Sequence, residues 1–164
     1  MASVLLLLSW VLAAAVAAAP APTATYKGYT VTVTKAERRG NIKNYVGNQG
    51  TVLYAGAGHW LVILTVTFEG APPATSDFVN EDRKAAIPRK SIVLLDKSAN
   101  APYFPSAWTG RSWVDWDEAA EQIKFNKEKT KATKQYLFRV DEAFDRSAAA
   151  LKLDDQEVPV RFEK

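Results

Sequence analysis

The sequence predicts an all-β protein, an antiparallel two-layer β-sandwich with at most one short helix. Three observations predict this fold. Several short segments are dense in β-branched and apolar residues, turn-forming residues separate them, and no long amphipathic helical pattern alternates with them. The chain has 164 residues, 48% of them hydrophobic and 24% charged, which is ordinary usage for one globular domain with its own core.

The strand pattern is clearest in two segments. In "YKGYTVTVTKAE", which begins at Tyr26, Thr and Val alternate with a period of two residues. "HWLVILTVTFEG", which begins at His59, is almost continuously apolar, so we expect a central strand that is covered on both faces and places Trp60 in the core. Further strands are predicted at Ser91 to Asp96 and in "TKQYLFRVDEA" and "ALKLDDQEVPVRFEK".

Two stretches between these strands are predicted to be irregular or helical. "DWDEAAEQIKF", which begins at Asp115, repeats apolar residues every three or four positions, and this spacing predicts one or two turns of helix. The segment from Glu69 to Pro88 is polar and rich in proline, and it predicts a long surface loop.

The first residues are typical of a secretory leader. An apolar run without charge extends from Val4 to Ala19, which is short for a membrane span of roughly 20 residues. We interpret residues 1–18 as a signal peptide, residues 19–25 as a Pro/Ala/Thr tether and residues 26–164 as the domain, so that cleavage leaves no transmembrane span. An uncleaved signal anchor is the alternative. Both place the domain outside the cytoplasm, either secreted or in the periplasm or cell envelope.

Three hydrophobic segments carry a resemblance to a known family. "GHWLVILTVTFEG", "SIVLLDKSANAPYFP" and "KEKTKATKQYLFRVDEAFD" resemble strands of the secreted bacterial immunoglobulin-like domains of the telokin-like kind, which include domains of unknown function often found on lipoproteins. The resemblance covers most of Thr30 to Leu153. It implies an immunoglobulin-like sandwich that acts as a secreted binding or structural module without enzymatic activity. The chain has no lipid-modifiable cysteine, and Lys97 to Asn100 replace the family's usual glycine turn.

The inventory of catalytic residues is small. The sequence contains one histidine, His59, no cysteine and no GxSxG motif, so we predict no enzyme, no cofactor and no metal site. His59 is expected at a strand end, either exposed or hydrogen-bonded. The alternative is a hydrolase that combines His59 with Asp115, Asp117 or Glu118. These carboxylates lack the spacing of a calcium loop, and at the start of a helix they would favour its dipole.

An aromatic segment, "AWTGRSWVDWDE", is the main candidate for ligand binding. Exposed indoles are costly and usually make contact with a sugar, a peptide or another domain, although a loop folded over one end of the sandwich would bury them equally well. The sequence alone does not distinguish an exposed binding loop from a buried covering loop. The candidate ligand-binding residues are Tyr103, Trp108, Arg111, Trp113, Asp115 and Trp116. We expect the partner to be a protein or a glycan.

A run of lysines is the second candidate surface. It consists of Lys124, Lys127, Lys129, Lys131 and Lys134. On a β-hairpin such lysines face solvent and protect a sheet edge, or they contact an anionic envelope polymer through salt-screened attraction. The formal net charge of +3 is a small excess, and the run lacks interleaved aromatic residues, so no nucleic acid is expected as a partner.

Overall fold

The computed structural model describes residues 21–43, 52–70, 77–108, 112–114 and 120–163. The strands are β1 (Thr23–Tyr26), β2 (Tyr29–Arg39), β3 (Asn41–Lys43), β4 (Val52–Tyr54), β5 (His59–Glu69), β6 (Lys84–Pro88), β7 (Ile92–Asp96), β8 (Ala101–Tyr103), β9 (Ala107–Trp108), β10 (Trp113–Val114), β11 (Ala120–Lys124), β12 (Lys131–Asp141), β13 (Ala149–Leu153) and β14 (Gln156–Pro159). In these ranges the helical segments are two 3-10 turns, Arg89–Ser91 and Arg146–Ala148. The predicted all-β class is confirmed.

Two four-stranded antiparallel sheets form the sandwich. The first sheet has the order β1-β2-β5-β12, and the second has the order β14-β13-β7-β8. β5 lies between β2 and β12 and pairs with both along nearly its whole length. β6 and β11 pair with each other, and the bridge between Phe125 and Ala132 places this pair beside the β12 edge of the first sheet.

The core lies between the two sheets and follows the two-residue period of the strands. On β5 the residues Val62, Leu64, Val66 and Phe68 are fully buried on the inner face, and Leu151 of β13 belongs to the same cluster. Full burial of each such side chain stabilises the fold by about 1.5–3 kcal/mol before conformational entropy is counted. The alternation that predicted the strands therefore also positions the core.

The outer face of β5, which the continuous apolar pattern predicted to be covered, is covered only in part, since Leu61 is buried and Ile63 is half-buried. Leu61 points away from the main core and is nevertheless fully buried. Leu53 of β4 is also buried outside that core, and β4 forms a hairpin with β3.

Trp60 differs from the expectation of a fully buried residue. It packs against the core but is only half-buried, and the Arg38 guanidinium lies 4.6 Å from the centre of its ring.

Two predictions about the connections are wrong. The segment Ala120–Lys124, predicted as helix, is strand β11, and Lys84–Pro88, predicted as part of a loop, is strand β6. The two strands pair in antiparallel register and direct Ile87 and Ile123 into the core. Burial of alternate residues outweighs the weak helical spacing here, because tertiary packing routinely overrides local propensity. The start of the predicted helix, residues 115–119, lies outside the described residues.

The sheet begins within the segment assigned to the tether. Thr23 to Thr25 pair with β2 together with Tyr26, and Tyr26 is buried. The predicted signal peptide, residues 1–18, lies outside the described residues. Where the chain is described, it contains no helix that is long and apolar enough to cross a membrane.

Tyr26 anchors the first strand to the far end of the chain. Its hydroxyl donates a hydrogen bond to Asp154 Oδ2 at 2.8 Å. We expect Tyr26→Phe to lower the free energy of unfolding by about 1–2 kcal/mol, because the bond is to a charged acceptor. Urea unfolding followed by circular dichroism measures the change. Tyr54→Phe removes a hydroxyl from an exposed side chain and serves as the control. Equal stability of the two variants would contradict the anchoring role.

Candidate functional site

A short aromatic hairpin carries two of the predicted binding residues. Trp108 of β9 pairs directly with Trp113 of β10, and their ring centres lie 5.7 Å apart at an interplanar angle of 63°. Trp113 Nε1 donates a hydrogen bond to the Tyr54 carbonyl oxygen at 3.2 Å. Tyr54 is 65% exposed, whereas both tryptophans are half-buried. We call Tyr54, Trp108 and Trp113 the aromatic patch.

The aromatic patch combines features of the two alternatives that the sequence offered, a ligand-binding surface and a loop that covers one end of the sandwich. The indoles pack on one another and on β4, as expected for a covering loop, yet each keeps part of its surface in solvent. A side chain held by a neighbouring ring and by a backbone carbonyl loses little further freedom when a ligand binds. The patch can therefore act as a rigid, partly exposed anchor. Arg111, Asp115 and Trp116, the other residues predicted in this segment, lie outside the described residues.

Tyr103 makes its contacts away from the aromatic patch. Its ring packs edge-on against Phe144 with centres 5.6 Å apart, and its hydroxyl donates to Asp141 Oδ2 at 3.3 Å. Burial raises the pKa of Tyr103 above its usual value, and the nearby Asp141 carboxylate adds to this increase. The tyrosine therefore helps to close one end of the sandwich.

A cleft of about 530 Å³ lies beside the aromatic hairpin. One wall is formed by Pro105 to Ala107, the segment that leads into β9. Its apolar part consists of Ile42, Ile63 and Leu137, each of which is half-buried. Leu137 and Ile63 are direct partners across β12 and β5. The apolar part of the cleft therefore lies on the outer face of the first sheet.

The polar part of the cleft is built around Glu121. This carboxylate accepts a bond from Arg89 Nε at 2.7 Å and lies 2.7 Å from Lys134 Nζ. Its side chain is only 15% exposed. Burial alone would raise the pKa of Glu121, but the hydrogen bonds from Lys134 and Arg89 outweigh it and hold the pKa below its usual value. The carboxylate is therefore ionised and fixed in place at neutral pH.

Tyr136 lies next to this ionic cluster. Its side chain is 2% exposed, and its hydroxyl has no hydrogen-bond partner among the described residues. Burial strongly raises the pKa of Tyr136, and the Glu121 charge raises it further, so the phenol stays protonated. A buried hydroxyl without a partner costs free energy, and the residue also lines the cleft.

The five lysines predicted as an anionic contact surface do not act as one unit. Lys131 forms an ion pair with Glu69, and Lys134 belongs to the Glu121 cluster. Lys124 and Lys127 are exposed, and Lys129 is half-exposed. Lys127 and Lys129 lie in the turn between β11 and β12, which the Asn126 side chain stabilises by accepting from the Thr130 and Lys131 backbone amides. The three lysines without a described ion pair form a smaller basic surface at this turn.

His59 lies at a strand end and is hydrogen-bonded, as expected. Its Nδ1 lies 2.8 Å from the Ala57 carbonyl oxygen and 2.9 Å from Arg139 Nη2, and its Nε2 lies 3.5 Å from Asp141 Oδ1. The neighbouring carboxylate is thus Asp141, whereas the sequence suggested Asp115, Asp117 or Glu118, which lie outside the described residues. Asp141 is 66% exposed. Over the described ranges, no group of three His, Cys, Asp or Glu residues could hold a metal ion.

Comparison with known proteins adds no further identification. No protein family, curated protein or solved structure matches this chain. The resemblance to secreted immunoglobulin-like domains of the telokin-like kind therefore stays a prediction.

Proposed function

We propose that this chain is a non-enzymatic binding module of the extracellular space or cell envelope that recognises a protein partner through the aromatic patch and the adjoining cleft. The observation that carries the proposal is a cleft of about 530 Å³ whose wall includes Ala107, the residue that precedes the half-buried Trp108 on β9. This volume lies within the range of pockets that hold small molecules, so the cleft can receive a few side chains of a larger partner. The same surface combines an apolar part with a fixed ionic cluster.

A protein is the partner that this surface suits best. Tryptophan, tyrosine and arginine are enriched at the centres of protein interfaces, where a few rigid anchors supply most of the binding energy. Trp108 and Trp113 pack on each other, and Trp113 is also held by the Tyr54 carbonyl, so the pair meets this description. Arg89 and Lys134 line the cleft on either side of the Glu121 carboxylate group that they share, and this fixed cluster would orient a polar group on the partner.

The proposed compartment rests on the leader and on amino-acid usage. The apolar run from Val4 to Ala19 supports export, and the packed β-sandwich can persist outside the cell without disulfides, as the lack of cysteine requires. We place the module among the secreted immunoglobulin-like domains on the strand patterns described above. At the turn between β11 and β12, Lys124, Lys127 and Lys129 would add weak, salt-screened attraction to an anionic partner.

The test is capture of a partner from culture-medium and envelope fractions by the immobilised protein. We expect the double variant Trp108→Ala/Trp113→Ala to retain at least about tenfold less of a protein partner than the unchanged chain, because truncation of interface anchors typically costs more than 1 kcal/mol each. Tyr103→Ala, which alters a half-buried aromatic residue outside the patch, is the matched control. Circular dichroism establishes that each variant is folded.

Two outcomes would contradict the proposal. Equal retention by the double variant and the unchanged chain would remove the aromatic patch from recognition. Retained material that survives protease digestion as carbohydrate would show that the partner is a glycan, which was the other alternative from the sequence.

A further inference from the structure

The edge of β12 that faces the cleft is incompletely paired. β12 pairs with β5 along one side from Lys131 to Asp141. On the other side it makes two isolated bridges, Phe125 with Ala132 and Pro105 with Phe138. Between these bridges, residues 133–137 have no strand partner on this second side in the part of the chain that the structure describes, although the Leu137 carbonyl accepts a bond from the Ser106 amide. This gap is about five residues long, or roughly 17 Å of strand.

The backbone hydrogen bonds beside the gap show which groups are available. The Lys131 carbonyl accepts from Asn126, the Leu137 carbonyl accepts from Ser106 at 2.7 Å, and the Arg139 amide donates to the Ser106 hydroxyl at 2.9 Å. Odd-numbered residues of β12 therefore direct their backbone groups away from β5. Gln135 has the same orientation and lines the cleft, and among the described residues its amide and carbonyl form no hydrogen bond outside the paired strands.

We propose that the partner of this module is bound as an extended acidic peptide segment, which adds a strand to β12 at Gln135. The inference rests on the proposed function and names the kind of partner that the site takes. Unpaired N–H and C=O groups on a strand edge are a template for another strand, and backbone hydrogen bonds then supply affinity while alternate side chains supply specificity.

The charge of the cleft selects an acidic segment. Among the described residues, the side chains of Lys43, Arg89 and Lys134 line it together with one carboxylate, that of Glu121, so these residues carry an excess of two positive charges. Lys43 is exposed on β3 at the rim of the cleft. Complementary charge favours the matching partner and disfavours a basic one.

The two faces of β12 add a requirement on the peptide sequence. Leu137 faces the outer side with its neighbour Ile63, and Lys134 lies on the opposite side with Glu121. Side chains of an added strand alternate between the same two sides. One side chain would therefore meet the apolar part of the cleft, and the next would meet the cations. The best partner segment alternates apolar and acidic residues.

The experiment uses synthetic peptides with the full chain and reads fluorescence anisotropy. The probe is a labelled peptide of about seven residues in which Val and Glu alternate, which is long enough to span the gap. The control peptide has Lys in place of Glu. Two further probes carry N-methyl groups on either the Val or the Glu backbone nitrogens, so that each set removes the hydrogen bonds of one strand edge only.

We expect the acidic peptide to bind at least about tenfold more tightly than the lysine peptide. One N-methylated probe should lose binding while the other keeps it, since only one edge of the peptide faces Gln135. Lys43→Glu should weaken the acidic peptide severalfold. Lys127→Glu, which makes the same charge change on the exposed turn, should alter the affinity much less.

Strand addition is overturned if the acidic and lysine peptides bind equally or not at all, or if neither N-methylated probe loses affinity. Failure of the peptides while the tryptophan-dependent protein partner is still captured would overturn strand addition alone. Capture that does not depend on Trp108 and Trp113 would overturn the proposed function, whatever the peptide result.

Discussion

Asp96→Asn is expected to lower the free energy of unfolding by about 2–4 kcal/mol, the largest effect among the substitutions considered, because it leaves buried backbone donors without a charged acceptor. Asp96 ends β7 and is 1% exposed. Oδ2 accepts from the Asp145 amide at 2.8 Å, and Oδ1 accepts from the Ser98 amide and hydroxyl at 2.9 and 2.6 Å. One carboxylate therefore joins the turn after β7 to the segment after β12.

The same carboxylate makes part of the stability dependent on pH. Burial would raise the pKa of Asp96, but the hydrogen bonds from Asp145, Ser98 and Ala99 outweigh it and hold the pKa below the ordinary value of 3.8. A lowered folded-state pKa contributes stability that is present above pH 3.8 and is lost as the pH falls through the folded pKa. The difference between the unchanged chain and Asp96→Asn should therefore shrink in acid.

Urea unfolding of both proteins at neutral pH and at pH values below 3.8 measures this difference. Asp155→Asn changes an exposed carboxylate and should stay within about 0.5 kcal/mol of the unchanged chain. A stability gap of constant size across this pH range would show that the Asp96 charge is not the cause.

Glu121→Gln is expected to lower the free energy of unfolding by about 2 kcal/mol, because it removes the carboxylate that two partly buried cations share. The Arg89 and Lys134 side chains are 19% and 27% exposed, so water compensates for only part of the loss. The pKa of Glu121 is also lowered, and this stabilisation should likewise disappear as the pH falls below the ordinary value of 4.5.

Glu157→Gln is the matched control for the cluster. Glu157 forms a single ion pair with Lys97 at 2.9 Å, and both side chains are well exposed. Removing such a surface pair typically changes stability by less than about 1 kcal/mol. Thermal unfolding of the two variants in parallel compares them. Equal melting temperatures would contradict the stabilising role of the Glu121 cluster.

The long strands could be predicted from the sequence because their side chains alternate over many residues. β5 and β12 each have eleven residues, and most of their core positions are visible as large apolar side chains. β6 and β11 have five residues each and contain alanines, which suit a helix or a loop equally well. Their partners decide their conformation, and pairing between distant segments is not visible in local periodicity.

The residues of the candidate site likewise divide into those that local sequence predicts and those that only the folded chain brings together. Trp108 and Trp113 are close in sequence, so a shared surface could be predicted from their spacing. Arg89, Glu121 and Lys134 come from three separate segments, and only the sheet topology brings them together. Lys134 was grouped with neighbouring lysines by sequence, although it occupies an even position on β12 like the buried Phe138. This even position, which it shares with inward-pointing side chains of the strand, was the one feature of the sequence that distinguished Lys134 from the other lysines.

The central position of β5 has a consequence for the order of folding. β2 precedes it closely in the chain, but β12 is synthesised more than sixty residues after β5 ends, as the pairing of Glu69 with Lys131 shows. Such distant pairing slows folding, because the chain must lose the entropy of loop closure before the stabilising contacts between the two strands can form. Until β12 arrives, one edge of the most apolar strand is open to pairing with another nascent chain. Production of this domain therefore depends on keeping newly made chains apart during that interval.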